Sequence, residues 1–488
     1  MTLLLDRPDL AAALDAVPAL RWTTPARPAP RVVRHPHAPG LELSGAGRTV
    51  PLAGGGHIEY ANLDAAASAP ALAAVERTVA AVVEQYASVH RGAGWHSRVC
   101  TELYEGARRP VRDFVGGRPT DAVIFTRNTT DSLNLLAHCL PARTTVVVFE
   151  TEHHAALLPW VHHHVIRLPA PASPAEAVAL VDDALRRRPA GPALLVITGA
   201  SNVTGELWPV GELAAVARSR GARVALDAAQ LAPHRPFSIT ELGVDYVALS
   251  GHKLYAPYGT GALVGPADWL DQADPYLLGG GATATVTDDA VTFKPVPERH
   301  EAGTPNVLGA VALATACHLL AGADHEALAT AEHLLTDRLR DGLSAIPGVT
   351  VHTLFGSGGS GRPDGPGSEA DEVPGIGVAT FTVTDRPAAL VAAALSAEYG
   401  IGVRDGAFCA HPLVRRLLGA AGCADSGADG QAVRASIGLG TTSEHVERLI
   451  AAVRRIALHG PRLQYVVRDG RPVPAIDDRA TPVIAPWQ

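Results

Sequence analysis

The sequence predicts an α/β protein: a large domain built on a mostly parallel sheet, followed by a smaller α+β C-terminal domain. Three observations predict it. Short β-branched runs alternate with amphipathic stretches between residues 122 and 265, polar residues cluster just after those runs, and from about residue 310 the pattern becomes mostly helical. At 488 residues the chain is too long for one simple core.

The runs are "AVIFT" (122–126), "TVVVFE" (145–150), "ALLVIT" (193–198), "RVALDAA" (223–229), "YVALS" (246–250) and "GALVG" (261–265). Continuous apolar runs of this length suit strands buried on both faces. Helical patterns such as "TDSLNLLAHCL" and "VGELAAVARSRG" separate most of them. Two later strands are expected near "GVTVHTL" and "GVATFTV". Residues 1–57, rich in Pro, Arg and Gly, read as an N-terminal extension. Residues 58–310 read as the large domain, 311–460 as the small one and 461–488 as a tail. Gly356–Gly375 has few apolar residues and reads as a disordered surface loop.

A formal net charge of −8 provides no basic face for nucleic acid or an anionic membrane. The start, "MTLLLDRPDL", lacks the basic region and long apolar run of a signal peptide. The most apolar stretch, "VLGAVALATACHLLAGA", is short, Ala-rich and carries His318, so it reads as a buried helix rather than a membrane span. Cys100, Cys139, Cys317, Cys409 and Cys423 form no CxxC pair, which favours reduced thiols in a cytoplasmic protein. The run His162–His164 has no carboxylate or cysteine at ligand spacing, so no metal is expected. Only two of the 41 basic residues are lysines, Lys253 and Lys294. Where arginine supplies nearly every positive charge, a remaining lysine suits a task that requires losing its proton.

Ligands of open α/β sheets bind at the carboxyl ends of the strands. Reading past each run, Thr129, Thr130, His153, Ser201, Asn202, Asp227, Gln230, Ser250, His252 and Lys253 converge on one edge. These types suit an aromatic phosphate cofactor bearing an aldehyde. Lysine forms a Schiff base, an aspartate can hold a pyridine nitrogen protonated, and hydroxyls at a helix start can cradle a phosphate.

"SGHKLYAPYGTGAL" resembles the lysine loop of class V aminotransferase-fold enzymes, which use pyridoxal 5'-phosphate on fold type I. The likeness is strongest to the group II cysteine desulfurase and selenocysteine lyase branch. It extends through "YANLDAAASAP", "IFTRNTTDSLNLLA", "EHHAALLPW", "SNVTGELWPV", "DAAQLAPH", "HEAGTPN", "VRDGAFCAHPL" and "VRASIGLGTTSEHVERLI". The resemblance implies that Lys253 carries the cofactor and moves protons at the substrate Cα. Asp227 then pairs with the pyridine nitrogen, His153 stacks on the ring, and Asn202 and Gln230 touch ring substituents or substrate. Thr129 belongs to the cofactor site, and Thr130, Ser250 and His252 bind the phosphate, whose site Thr304 of a neighbouring subunit completes, implying a homodimer. Arg434, with Arg404 nearby, clamps the substrate carboxylate. Cys409, five residues after Arg404, stands at the spacing of the sulfur acceptor.

The same resemblance implies L-cysteine as substrate, alanine as product, a persulfide on Cys409 and a possible sulfur-acceptor protein. Three departures accompany it: Phe408 occupies the usual histidine position before the cysteine, "AGWHS" is one residue longer than usual, and Asn128 stands where glycine is common. Plainer readings are open at each position. Lys253 could be a surface lysine, Asp227 a helix cap, Arg434 half of a surface pair and Cys409 a small core hydrophobe. Transamination or epimerisation of another amino acid is the alternative reaction, and a non-catalytic protein keeping the fold is a third possibility, opposed by intact Lys253, Asp227, His153 and Arg434.

Overall fold

The structure, a computed structural model, describes residues 40–90, 92–355, 374–419, 430–485 and 487. Seven strands form the central sheet: β1 (Ala122–Thr126), β2 (Thr145–Phe149), β3 (His164–Leu168), β4 (Ala193–Thr198), β5 (Arg223–Asp227), β6 (Tyr246–Ser250) and β7 (Gly261–Gly265). Their spatial order is β1-β7-β6-β5-β4-β2-β3. The pairs from β3 to β6 are parallel, and β7 runs antiparallel to both its neighbours.

Neighbouring residues in a strand face opposite sides, and both sides are covered here. Val146 and Val148 of β2 pack with Leu133 and Trp160 in one apolar layer. Val147 and Phe149 join Leu226, Val247 and Leu313 in the other. Each such fully buried side chain contributes roughly 1.5–3 kcal/mol relative to exposure. Six of the strands coincide with the apolar runs of the sequence. The unexpected one, β3, begins in the histidine run: His164 opens the strand, while the His163 ring lies 2.9 Å from the Ala137 carbonyl.

The small domain holds a four-stranded antiparallel sheet of β8 (Val349–His352), β9 (Val378–Val383), β10 (Arg404–Gly406) and β11 (Ala432–Ser436), in the order β8-β9-β11-β10. Helices His325–Ser344, Ala388–Tyr399 and Ser443–His459 supply Leu343, Leu395 and Val453, which pack with Phe381 and Val433 of the sheet. Residues 61–64 pack with the small domain, Ala61 and Leu63 lying in its core. Ala61–Asn62 pairs in parallel with Ile401–Gly402, and the Ser436 amide donates to the Leu63 carbonyl at 2.7 Å.

Of the segment read as an N-terminal extension, residues 1–39 lie outside the described residues. Leu41 and Leu43 are buried in the large core, and Thr49–Pro51 pairs with His57–Glu59. Most of the Gly356–Gly375 loop, and Cys423, also lie outside the described residues. Within 461–488, Tyr465–Arg468 and Arg471–Pro474 form a hairpin against helix Ala388–Tyr399. The Glu398 carboxylate there accepts from the amides of Arg462 and Leu463 and from the Tyr465 hydroxyl. Among the described residues no single helix is long and apolar enough to cross a membrane.

Candidate active site

Asp227 ends β5 and Ser250 ends the adjacent strand β6. The turn after β6 depends on Gly251, where a Cβ would lie 2.5 Å from the Thr260 carbonyl oxygen. It carries the half-buried Lys253 into the electrostatic reach of Asp227. Burial lowers the Lys253 amine to about 8, against the opposing pull of Asp227. Burial raises the Asp227 carboxyl, while Lys253 and a 2.9 Å bond from the Ala229 amide draw it down. A lysine this close to neutrality is a usable nucleophile and base at physiological pH.

His153 caps the short helix His154–Leu157 after β2, its Nδ1 accepting from the Ala155 amide at 3.0 Å. Burial first, then the charge of Lys253, lowers it to about 3. The ring is therefore neutral, with its proton on Nε2. Residue 152 carries a functional signal that the sequence did not reveal. The Glu152 carboxyl is fully buried, one oxygen accepts from the Thr198 amide at 3.1 Å, and Oε2 has no partner. Thr198 is the register partner of Asp227. Burial, then the charge of Asp227, raises Glu152 well above its ordinary 4.5.

The folded chain therefore holds a proton on Glu152 more tightly than the unfolded chain, which sheds it above about pH 4.5. Wild type loses stability from this group as pH rises above about 4.5. Glu152→Gln removes the titration. Its melting temperature relative to wild type is expected to climb as pH rises above 4.5; a difference constant from pH 4 to 7 would show Glu152 ionised.

The Thr129 amide donates to Ser250 Oγ, and that hydroxyl donates to Thr129 Oγ1, both at 2.9 Å. This joins the end of β6 to the start of α1 (Thr129–Cys139), which Asn128 caps through the Asp131 amide. The exposed Thr130 and half-buried His252 flank this cradle, and burial followed by Lys253 lowers His252. Helix starts with free hydroxyls suit phosphate. Gln230 donates to the Ala66 carbonyl at 2.8 Å, leaving its buried Oε1 without a partner. Ser201 is used in its own turn, accepting from the Val203 and Thr204 amides. Thr304 is exposed on a loop anchored by Glu301, which binds Arg108, Tyr104 and the Phe125 amide.

Arg434 of β11 is 3 % exposed. One nitrogen donates to the Asn202 carbonyl at 2.9 Å, another to Asp64 at 3.2 Å, and Nε has no partner. Arg404 is its cross-strand neighbour and is exposed. Burial lowers Arg434 and raises Asp64, each opposed by the other's charge. The guanidinium lies 5.2 Å from the centre of the Phe408 ring. Phe408 and Cys409 both adopt left-handed backbone, φ 51° and 54°, at roughly 1–3 kcal/mol each. That pair of conformations buries Phe408 and leaves Cys409 exposed. Asn202 Nδ2 donates to the Phe408 carbonyl and the His154 amide to that of Cys409, both at 2.8 Å. The charge of Cys409 acts on both Lys253 and Arg434. The other described cysteines, Cys100, Cys139 and Cys317, are buried.

Fold and site together define a class of α/β enzyme with a lysine and an aspartate gathered at the carboxyl ends of adjacent parallel strands. The Aminotransferase class-V family matches residues 61–449, and the chain belongs to that family. It is 33 % identical over 411 residues to the cysteine desulfurase of Yersinia pestis (strain Pestoides F), covering 81 % of this chain and 92 % of the relative. The apo cysteine desulfurase of Thermococcus onnurineus NA1 superposes with a TM-score of 0.70 at 28 % identity, covering 82 % of this chain and 94 % of that one. The cysteine desulfurase CsdA (S-sulfonic acid) of Escherichia coli gives 0.65 at 30 % identity, covering 81 % and 94 %. The mostly parallel sheet is that of fold type I, as the sequence leads one to expect.

Proposed function

We propose that the protein is a pyridoxal 5'-phosphate-dependent cysteine desulfurase that converts L-cysteine to L-alanine and passes the sulfur to Cys409. The exposed Cys409 thiol, on a loop held by Asn202 and His154 within electrostatic reach of Lys253, carries this reading. The residues fit the cofactor. Gln230 Oε1 is buried without a partner, Asp227 sits at a strand end beside a near-neutral lysine, and the Thr129–Ser250 cradle has the hydroxyls a phosphate requires. Lys253 would hold the carbonyl, Asp227 the pyridine nitrogen, and Thr129, Thr130, Ser250 and His252 the phosphate. Gln230 and Asn202 would contact ring substituents or substrate. Thr304 of a second copy would complete the phosphate site, making the working unit a homodimer. The bound cofactor supplies an electron sink for charge developing at Cα.

The chain's own groups do the rest. Arg434, helped by Arg404, holds the substrate carboxylate through its charged fork. Neutral His153 would lie against the ring of the bound cofactor. Lys253 takes the Cα proton and returns a proton later. The Cys409 thiolate attacks the substrate sulfur: the new S–S bond forms as the substrate C–S bond breaks. The electron pair of that bond passes to Cβ, which is protonated to the methyl group of alanine. Cys409 is oxidised to a persulfide while Cβ is reduced, and a thiol-bearing acceptor protein then removes the sulfur.

Alanine and sulfide release from L-cysteine, measured with a reductant present, tests the reading. Wild type releases both and Cys409→Ala loses sulfide release; undiminished release from the variant would remove Cys409 from the acceptor role.

A further inference from the structure

The loop bearing Cys409 has a further attachment that the sulfur-transfer scheme does not use. His411 Nδ1 lies 3.2 Å from His154 Nε2, with ring planes within 10° and centroids 4.9 Å apart. His154 therefore grips the loop twice. Its amide holds the Cys409 carbonyl, and its ring meets the ring two residues further on. His411 is the first residue of helix His411–Leu418 and is exposed, so its ring is not required by a core. Two successive left-handed residues, Phe408 and Cys409, precede it. Such backbone persists only where outside contacts over-determine it, and the outside contacts here are Asn202, Arg434 and His154.

We propose that the His154–His411 pair is a latch that fixes the Cys409 loop to the large domain and so positions the thiol for sulfur transfer. Both are positioning residues, since neither is required to touch substrate or cofactor. An imidazole–imidazole hydrogen bond needs one ring nitrogen bearing hydrogen and one with a free lone pair. Burial, then the charge of His411, lowers the His154 ring from its ordinary value, consistent with that requirement. The proposal rests on the desulfurase reading for its consequence, while the latch itself exists before any reaction.

The test uses the full-length holoenzyme with His411→Ala and His411→Gln, the latter keeping a hydrogen-bonding side chain. The first readout is the rate at which iodoacetamide alkylates Cys409 without substrate, located by mass spectrometry. Loss of one net hydrogen bond predicts a rise of about fivefold in His411→Ala and near wild-type behaviour in His411→Gln. The second is steady-state alanine production: kcat falls by a similar factor in His411→Ala with KM unchanged. The change in cofactor absorption on adding L-cysteine stays as in wild type.

Unchanged alkylation and kcat in His411→Ala overturn the proposal. So does a His411→Gln variant as impaired as His411→Ala, or loss of the absorption response, which would make His411 a substrate-binding residue. The alkylation arm requires no turnover. Sulfide release that survives Cys409→Ala would therefore retire the acceptor role while leaving the latch measurable.

Discussion

Lys253→Arg is expected to keep a cation in the pocket and abolish turnover. The variant purifies without the borohydride-sensitive visible absorption of a captured carbonyl cofactor. Its alanine production falls by at least ~10²–10⁴-fold, the contribution of a positioned proton-transfer group alone. The cause is protonation. Burial lowers the Lys253 amine to about 8, whereas a guanidinium stays charged and cannot attack a carbonyl. The same fact sets a pH dependence for the apoprotein. Neutral amine is the attacking form, so capture of added pyridoxal phosphate accelerates roughly tenfold per pH unit up to about 8 and levels above it. Stopped-flow absorbance measures this directly. A rate still climbing steeply between pH 9 and 10 would show an amine near its ordinary value of 10.5.

Arg434→Ala carries the second large effect, on binding and stability together. Removing the guanidinium strips Asp64 of its partner, frees the Asn202 carbonyl and takes the cation from the Phe408 ring. Breaking a hydrogen-bonded buried pair from one side costs about 2–5 kcal/mol. The lower end applies here because the Asp64 side chain is 24 % exposed. KM for L-cysteine rises at least tenfold, since the carboxylate loses its fork. Asp64→Asn in the Arg434→Ala background restores part of the melting temperature, because no unpaired charge is left behind, but none of the KM. Thermal melts and steady-state kinetics on the two variants separate the effects; full recovery of KM in the double variant would place substrate recognition elsewhere.

Most strands that read clearly in the sequence lie inside the sheet, where the middle of each run is apolar and buried on both faces. β3 escaped notice as an edge strand without a clear apolar run: in "HVIRL" only Leu168 is buried, His164 and Arg167 are exposed, and the strand starts in histidines. β10 escaped because three residues, "RDG", carry no periodic signal. β11 escaped because its central residue is the buried Arg434, whose burial depends on partners 232 and 370 residues away. Lys253 and His153 were legible because each follows a recognisable strand, and Asp227 because it ends one. Glu152 was not: an acid between a strand and a histidine looks solvated, and only the register of β4 against β5 places Thr198 and Asp227 beside it. Asp64 and the His154–His411 contact join segments far apart in the chain, which spacing alone does not show.

The sheet order also governs how the protein is made. Of the central strands β1 leaves the ribosome first, yet among the described residues its strand neighbour is β7, whose residues 261–265 follow more than a hundred positions later. At about 5–20 residues per second, β1 waits several seconds or more with an unpaired edge. The site is later still, because Asp64 meets Arg434 across 370 positions. A nascent or truncated chain can therefore contain Lys253 without the small-domain groups beside it. Assembly of the site thus waits for Arg434, well after Lys253 has been made.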